Sequence, residues 1–197
     1  LTARTGSDAT LTGTYLAFMI LATLLGAIGV VTDSPITLVG AMVVGPEFGA
    51  LAGVAVGIVR RTPHLVRRSV LALLVGFALG IVAATLAALL ARATGLITAA
   101  DLTNQQNVEF IYHPGWFSII TAVIAGTAGM LSLASSRTAV LVGVFISVTT
   151  IPAAGNAAVA FALGQWHELG QSLLQLAINL SGIVAAGTLT LLVRRRI

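Results

Sequence analysis

The chain has 197 residues, of which 57% are hydrophobic and 8% are charged, and its formal net charge is +4. Soluble domains carry about 25% charged residues, so this composition, with a mean hydropathy of +1.04, indicates an integral membrane protein and leaves no room for a soluble catalytic domain. The absence of cysteine excludes disulfides, thiolate nucleophiles and cysteine-ligated metal centres. All ten basic residues are arginines, and most lie between apolar segments, where they set membrane topology; we expect no nucleic-acid partner.

Apolar segments of about 20 residues, the length that spans a bilayer, follow one another along the chain. They cover residues 14–32, 36–59, 69–91, 115–134, 138–163 and 171–193. The sequence therefore predicts an all-α fold, a polytopic bundle of about six transmembrane helices that forms a single domain over residues 1–197. The Asp33-Ser34-Pro35 sequence is typical of a helix start. The chain begins at Leu1 without a visible signal peptide, and we expect it to be a fragment or a processed product.

The arginines predict the orientation of these spans. With six spans, one side of the membrane collects nine of the ten arginines and the other side has only Arg92. The positive-inside rule then places both termini in the cytoplasm of a multi-pass protein of the cell inner (plasma) membrane. Aromatic side chains at the outer ends of spans agree with this orientation: Tyr112, Trp116 and Trp166.

An internal repeat relates the two halves of the chain. Residues 80–84 (GIVAA) recur at 182–186, and a proline followed three residues later by glycine occurs in the middle of both the second and the fifth spans. Because each half has three spans, the halves would be inverted relative to the membrane. We expect an inverted three-plus-three repeat, with the first copy at about 14–92 and the second at about 115–194.

The two prolines predict broken helices near the middle of the membrane. Pro46 and Pro152 each remove a backbone donor and clash with the preceding turn, so each span should kink or break there. A single proline is explained by an ordinary kink that neighbouring helices tolerate. A matched pair of breaks in an inverted repeat instead indicates a transporter binding site, toward which the amino ends of both half-helices point.

Glu47 is the first candidate for a functional side chain. A carboxylate at this depth costs about 2.5 to 3.5 kcal/mol on insertion scales, so it usually faces a cavity or the bundle interior. It could couple the movement of a proton or cation to a conformational change, or it could simply cap the free amides at the break; the sequence leaves its protonation state open. Further polar residues could line the same site or form hydrogen bonds between helices: Thr149, Thr150, Asn156 and Asn179.

Small residues recur every fourth position in the second and third spans, which predicts close helix packing within the chain or in a homo-oligomer. The glycines concerned are Gly45, Gly49, Gly53, Gly57, Gly76 and Gly80. The second loop carries a basic cluster that could hold anionic lipid headgroups, although membrane topology alone also explains it: Arg60, Arg61, Arg67 and Arg68. No metal-ligand spacing or enzyme signature occurs, so we expect no metal, no cofactor and no enzymatic activity.

The chain also resembles a known protein family, through residues 32–35 (TDSP), residues 40–46 (GAMVVGP) and the arginine-rich stretch at 60–68. These motifs, with Pro152, Gly155 and Asn179 in the second half, are similar to the domain of unknown function 389 family of hydrophobic membrane proteins in bacteria and archaea. The resemblance implies a multi-span membrane protein without assigned catalytic residues. It also implies a soluble segment upstream of the first span, which we expect to be missing here. Two positions depart from the family pattern: Glu47 stands where many members carry an apolar residue, and Ala153 where a second proline is frequent.

Three functional hypotheses follow from the sequence. The first is a transporter of a small solute or ion whose central site lies at the Pro46 and Pro152 breaks, with Glu47 as its coupling carboxylate. The second is a non-transporting scaffold or sensor that oligomerises through its glycine-rich faces, and it predicts a dry, packed centre. The third is an oligomeric channel. The expected partners are the lipid bilayer, a second copy of the chain and an unidentified small molecule or ion.

Overall fold

The computed structural model describes residues 10–103, 107, 114–135, 144 and 149–194 of the chain. These residues form eight α-helices, which we number in chain order. They are α1 (Gly13–Val31), α2 (Pro35–Val44), α3 (Glu47–Val59), α4 (Pro63–Ala93), α5 (Ala100–Thr103), α6 (Trp116–Ser135), α7 (Thr150–Leu163) and α8 (Trp166–Arg194). The described residues contain no strand, and the predicted all-α class is confirmed.

Local chemistry explains where the first helices begin. The Thr12 side chain accepts a hydrogen bond from the Tyr15 amide at 3.1 Å and caps α1. Ser34 caps α2 in the same way, with Pro35 as the first helical residue, so the predicted helix start is confirmed. Asp33 instead forms the turn with a φ of 47°, and its carboxylate accepts a hydrogen bond from the Asn107 side-chain amide at 2.7 Å.

Four helices, α1, α4, α6 and α8, are long and apolar enough to cross a membrane. Helices α2 and α3 are bent by 52° at their junction and together are long and apolar enough for a fifth span, or for a re-entrant loop. Many large apolar side chains on these helices are exposed, as expected of a surface that faces lipid. The predicted span at residues 138–163 stays a prediction, since residues 136–143 and 145–148 lie outside the described residues.

Two predicted boundaries are wrong in the same way. Helix α4 begins at Pro63 rather than near residue 69, and α8 begins at Trp166 rather than near residue 171. The polar residues assigned to the loops, Arg67 and Arg68 among them, are therefore helical. A helix that leaves the hydrocarbon layer keeps its backbone hydrogen bonds, and long charged side chains at its end reach the interface. The hydropathy of the sequence therefore indicates where a helix leaves the hydrocarbon layer, but it does not indicate where the helix itself ends.

Helix α7 lies at the centre of the bundle. It packs against α1, α4 and α8, and contacts α2 at its amino end. Nearly every side chain of α7 is buried. Around it, α1 packs against α4, α3 packs against α4 and α8, and α8 packs along α6. The amino end of this central helix is therefore held deep inside the protein.

Candidate functional site

The break between α2 and α3 occurs at Gly45 and Pro46. Helix α2 ends at Val44, and Pro46 precedes the first residue of α3, Glu47. A β-carbon at Gly45 would overlap the Glu47 carboxylate and lie 2.9 Å from the Ile151 side chain, so only glycine fits this position. The predicted break at Pro46 is confirmed, and it leaves the amino end of α3 without a side-chain cap.

Glu47 is buried at this amino end, with 4% of its surface exposed. Its Oε1 accepts a hydrogen bond from the Thr150 hydroxyl at 2.8 Å. Its Oε2 has no hydrogen-bond partner among the described residues. A carboxylate so deep in a bundle is costly unless it is paired or hydrogen-bonded, and here one of its two oxygens remains open to a further donor or to a cation.

Thr150 belongs to the amino end of α7. It is the first residue of that helix, Thr149 is its cap residue, and Pro152 lies in its first turn. The helix start predicted beside Pro152 is therefore present, while the chain immediately before Thr149 lies outside the described residues. Within the described part of the chain, α3 and α7 are not among the helix pairs that pack along their lengths. The two helices meet at their first residues.

Thr149 is the centre of a second group of polar side chains. Its hydroxyl oxygen accepts hydrogen bonds from Asn179 Nδ2 at 2.7 Å and from Gln175 Nε2 at 3.2 Å. Gln175 and Asn179 are both buried in α8, and Gln175 Oε1 has no partner in the described structure. Because Thr149 and Thr150 are adjacent, this group and Glu47 form one polar cluster around the amino end of α7.

Asn156 lies farther along α7 and faces α8. Its Nδ2 donates a hydrogen bond to the Ser172 hydroxyl at 2.7 Å, and both residues are fully buried. Asn156 Oδ1 has no partner among the described atoms. The hydrogen bond between two helices is the common role of such residues in membranes; the open carbonyl oxygen is not explained by that role alone.

The structure therefore brings most of the predicted site residues together. Glu47 and Thr150 are in direct contact, Thr149 binds Asn179, and Pro46 and Pro152 lie at the two helix starts. Sequence reasoning missed Gln175, Ser172 and the buried Tyr15, whose hydroxyl has no partner in the described region. The spacing of polar residues in the sequence could have identified Gln175 and Ser172. Residues 172, 175 and 179 are at positions i, i+3 and i+7, and so fall on one face of a helix.

Most of the predicted packing glycines make contacts inside the chain. Gly76 and Gly80 lie against Tyr15, Met19 and Thr23 of α1, and Gly57 lies against Val66 at the start of α4. Gly53 is buried and Gly49 is half-buried in α3. These contacts fit the predicted close approach of helices. The homo-oligomer stays a prediction.

The predicted basic cluster lies at the turn between α3 and α4. All four arginines, Arg60, Arg61, Arg67 and Arg68, are exposed. Arg61 and Arg67 border a surface groove of about 650 Å³ whose floor is largely apolar, formed by residues such as Ile58, Val66 and Val70. No group of three or more potential metal ligands occurs in the part of the chain that the structure describes.

Comparisons with known proteins place these features in a family. The model of a family described as "Domain of unknown function (DUF389)" matches residues 42–185, which include the α2–α3 break, α7 and most of α8. An uncharacterised protein of Methanocaldococcus jannaschii is 27% identical over 171 residues, which are 84% of this chain and 51% of that protein. The chain therefore spans about half the length of this relative. No solved structure matches the chain.

Proposed function

This chain belongs to the DUF389 family of proteins, and we propose that it transports an ion or small solute across the membrane, with Glu47 as the coupling carboxylate. The observation that carries the proposal is the position of Glu47. It is buried at the first residue of α3, bound through one oxygen to the first residue of α7, and its second oxygen has no partner among the described residues. Broken helices that meet inside a membrane are the arrangement typical of transporter binding sites.

The chemistry of the cluster favours a proton or a small cation. It offers carboxylate, hydroxyl and amide oxygens, and among the described residues no arginine forms an ion pair with Glu47. Oxygen groups of this kind are the preferred ligands of hard cations. The positive ends of α3 and α7 favour the ionised form of the carboxylate, whereas its burial favours the protonated form.

The orientation that supports this function follows from the arginines. We propose that both termini and the α3–α4 turn lie in the cytoplasm of a multi-pass protein of the inner membrane. The α7–α8 turn then lies outside, where Trp166 is exposed and packs edge-on against Phe161 with ring centroids 5.7 Å apart. We also propose that the two halves are inverted repeats, each contributing one half-helix amino end to the site.

Flux through reconstituted vesicles tests the proposal. The protein would be purified and placed in proteoliposomes with entrapped pyranine to follow protons, and in parallel with radioactive sodium outside. Under a potassium–valinomycin potential, we expect flux of one of these ions above that of empty vesicles. Glu47→Gln, which keeps the shape and removes the ionisable group, should reduce it to background, while Glu168→Gln, at the start of α8, should not.

Two outcomes would contradict a coupling role for Glu47: no flux of either ion in the wild-type vesicles, or equal flux in wild-type and Glu47→Gln vesicles. Two further measurements, the dependence of the flux on ion concentration and the conductance of planar bilayers, separate the remaining alternatives. A transporter gives a rate that saturates with ion concentration, whereas a channel gives single-channel conductance in planar bilayers. A scaffold gives neither.

A further inference from the structure

The buried face of α8 changes character along its length. In the half that begins at Trp166, the buried residues include Ser172, Gln175 and Asn179, which we call the α8 polar stripe. In the following turns the buried residues are Ile183, Ala186 and Gly187. The stripe begins about 9 Å from Trp166 and extends for about 10 Å, at about 1.5 Å per residue. One half of this helix interior is polar and the other is apolar.

The α8 polar stripe is connected to α7, and α7 to Glu47, by a series of hydrogen bonds. Ser172 binds Asn156, while Gln175 and Asn179 bind Thr149. The next residue, Thr150, binds Glu47. The series therefore runs from the α7–α8 end of the bundle to the carboxylate at the half-helix break.

Three acceptors along this series lack donors. They are Asn156 Oδ1, Gln175 Oε1 and Glu47 Oε2, all buried and all without a partner among the described residues. An unpaired buried polar group costs about 1 to 3 kcal/mol, and in most proteins ordered water removes that cost. Each amide donates a hydrogen bond through its nitrogen to a neighbouring helix or its cap residue, and its oxygen has no donor among the described residues.

Beyond the α8 polar stripe, the apolar half of α8 packs against α6. A β-carbon at Gly126 of α6 would lie 2.6 Å from the Ile183 carbonyl oxygen, and one at Gly187 would lie 2.9 Å from the Met130 side chain. Helix α6 therefore packs tightly on this half of α8, where no polar side chain is buried among residues 183–187. Beyond Asn179, the buried face of α8 therefore offers water no polar side chain.

We propose that the α8 polar stripe admits water and gives a proton or small cation access to Glu47 from the Trp166 end of the bundle alone. The route extends the proposed function, since it gives the coupled ion access to the carboxylate from one side of the membrane, while the buried face of α8 beyond Asn179 is apolar. Its hydration does not depend on transport and is measured separately.

Thiol labelling tests the route directly, because the chain has no cysteine of its own. Single substitutions Ser172→Cys, Gln175→Cys and Asn179→Cys would be treated with a membrane-impermeant methanethiosulfonate in sealed vesicles, from each side in turn. Leu174→Cys, adjacent to Gln175 and exposed on the lipid side, and Ile183→Cys, on the buried face beyond the stripe, are the matched controls. Variants would be compared only where size-exclusion chromatography shows the wild-type elution profile.

The thiolate is the reactive form and needs water to form, so we expect the three stripe positions to label about tenfold or more faster than either control. The rate should fall from residue 172 to residue 179, and only reagent on the Trp166 side should label. Rates equal to that of Ile183→Cys, or equal labelling from both sides, would overturn the one-sided route.

A second measurement needs no cysteine substitution. A water-soluble carbodiimide with glycine ethyl ester modifies carboxyl groups that water reaches, and mass spectrometry locates the product. We expect modification of Glu47 as well as of Glu168, and Ser172→Phe should reduce the Glu47 product alone. Modification of Glu168 without Glu47 would refute the route. A hydrated stripe in a protein without flux would refute the proposed transport and leave the route standing.

Discussion

The Thr150 hydroxyl donates a hydrogen bond to Glu47 Oε1 at 2.8 Å, although the two residues are 103 positions apart in the chain. Each is the first residue of its helix. The bond therefore joins the amino ends of α3 and α7, which lie in opposite halves of the sequence. This contact lies between the two halves of the chain. Binding at Glu47 would therefore act directly on the contact and, through it, on the arrangement of the helices.

The first prediction concerns the energy of that contact. Thr150→Val leaves both oxygens of a buried carboxylate without a donor, so we expect it to destabilise the protein by about 1 to 3 kcal/mol. In the Glu47→Leu background the carboxylate is absent, and the same threonine substitution should cost much less. Unfolding of each variant in detergent, followed by circular dichroism, gives the double-mutant cycle.

Thr150→Val combined with Glu168→Leu is the matched control, because Glu168 lies at the start of α8, away from the cluster. The two effects should add in that pair. Additive effects for Glu47 and Thr150 as well would show that the hydrogen bond contributes nothing to the stability of the fold.

The second prediction concerns the break between α2 and α3. Gly45→Ala would place a methyl group against the Glu47 carboxylate and 2.9 Å from the Ile151 side chain, and we expect a loss of about 1 to 3 kcal/mol from overpacking. Gly40→Ala in the same helix meets no atom within 4 Å, so it should stabilise the helix by about 0.5 to 1 kcal/mol. Thermal unfolding in detergent measures both. Equal melting temperatures for the two variants would contradict the tight fit at Gly45.

Much of this arrangement follows from residue types alone. Proline in an apolar span predicts the break at Pro46, and the serine–proline pair predicts the start of α2. A lone carboxylate between apolar residues identifies Glu47 before any coordinates are known. These features are local, since each depends on a few neighbouring residues and on the cost of exposing polar groups to lipid.

The partners of these residues are not local and could not be predicted. That Glu47 binds Thr150, or that Thr149 binds Asn179, depends on how the helices pack in three dimensions. Gln175 and Ser172 were missed for another reason: scattered among leucines, they look like ordinary polar residues near a helix end until their shared face is considered. Hydropathy also misplaced the starts of α4 and α8, because it measures the width of the hydrocarbon and not the length of the helix.

The third prediction concerns Arg92, whose Nη1 donates a hydrogen bond to the Ala162 carbonyl oxygen at 2.7 Å. Ala162 lies in the last turn of α7, where carbonyl groups lack helical partners and a positive charge is favourable. Arg92→Gln should therefore destabilise the protein by about 1 kcal/mol. Arg68→Gln, which removes an exposed arginine at the opposite end of α4, should change stability by less than about 0.5 kcal/mol. Chemical unfolding in detergent would measure both, and equal effects would argue against a capping role.

The last prediction concerns the groove beside the α3–α4 turn. Arg61 and Arg67 border it, and apolar side chains including Val66 and Val70 form its floor. An anionic phospholipid matches both parts of the groove, because its headgroup can lie at the arginines and an acyl chain can lie along the apolar floor. We expect phosphatidylglycerol to raise the melting temperature of the detergent-solubilised protein more than phosphatidylcholine does, and Arg61→Gln with Arg67→Gln to abolish the difference. Arg68→Gln, which removes the same charge outside the groove lining, should retain it. A loss of the same size in Arg68→Gln would mean that net charge, and not the groove, attracts the lipid.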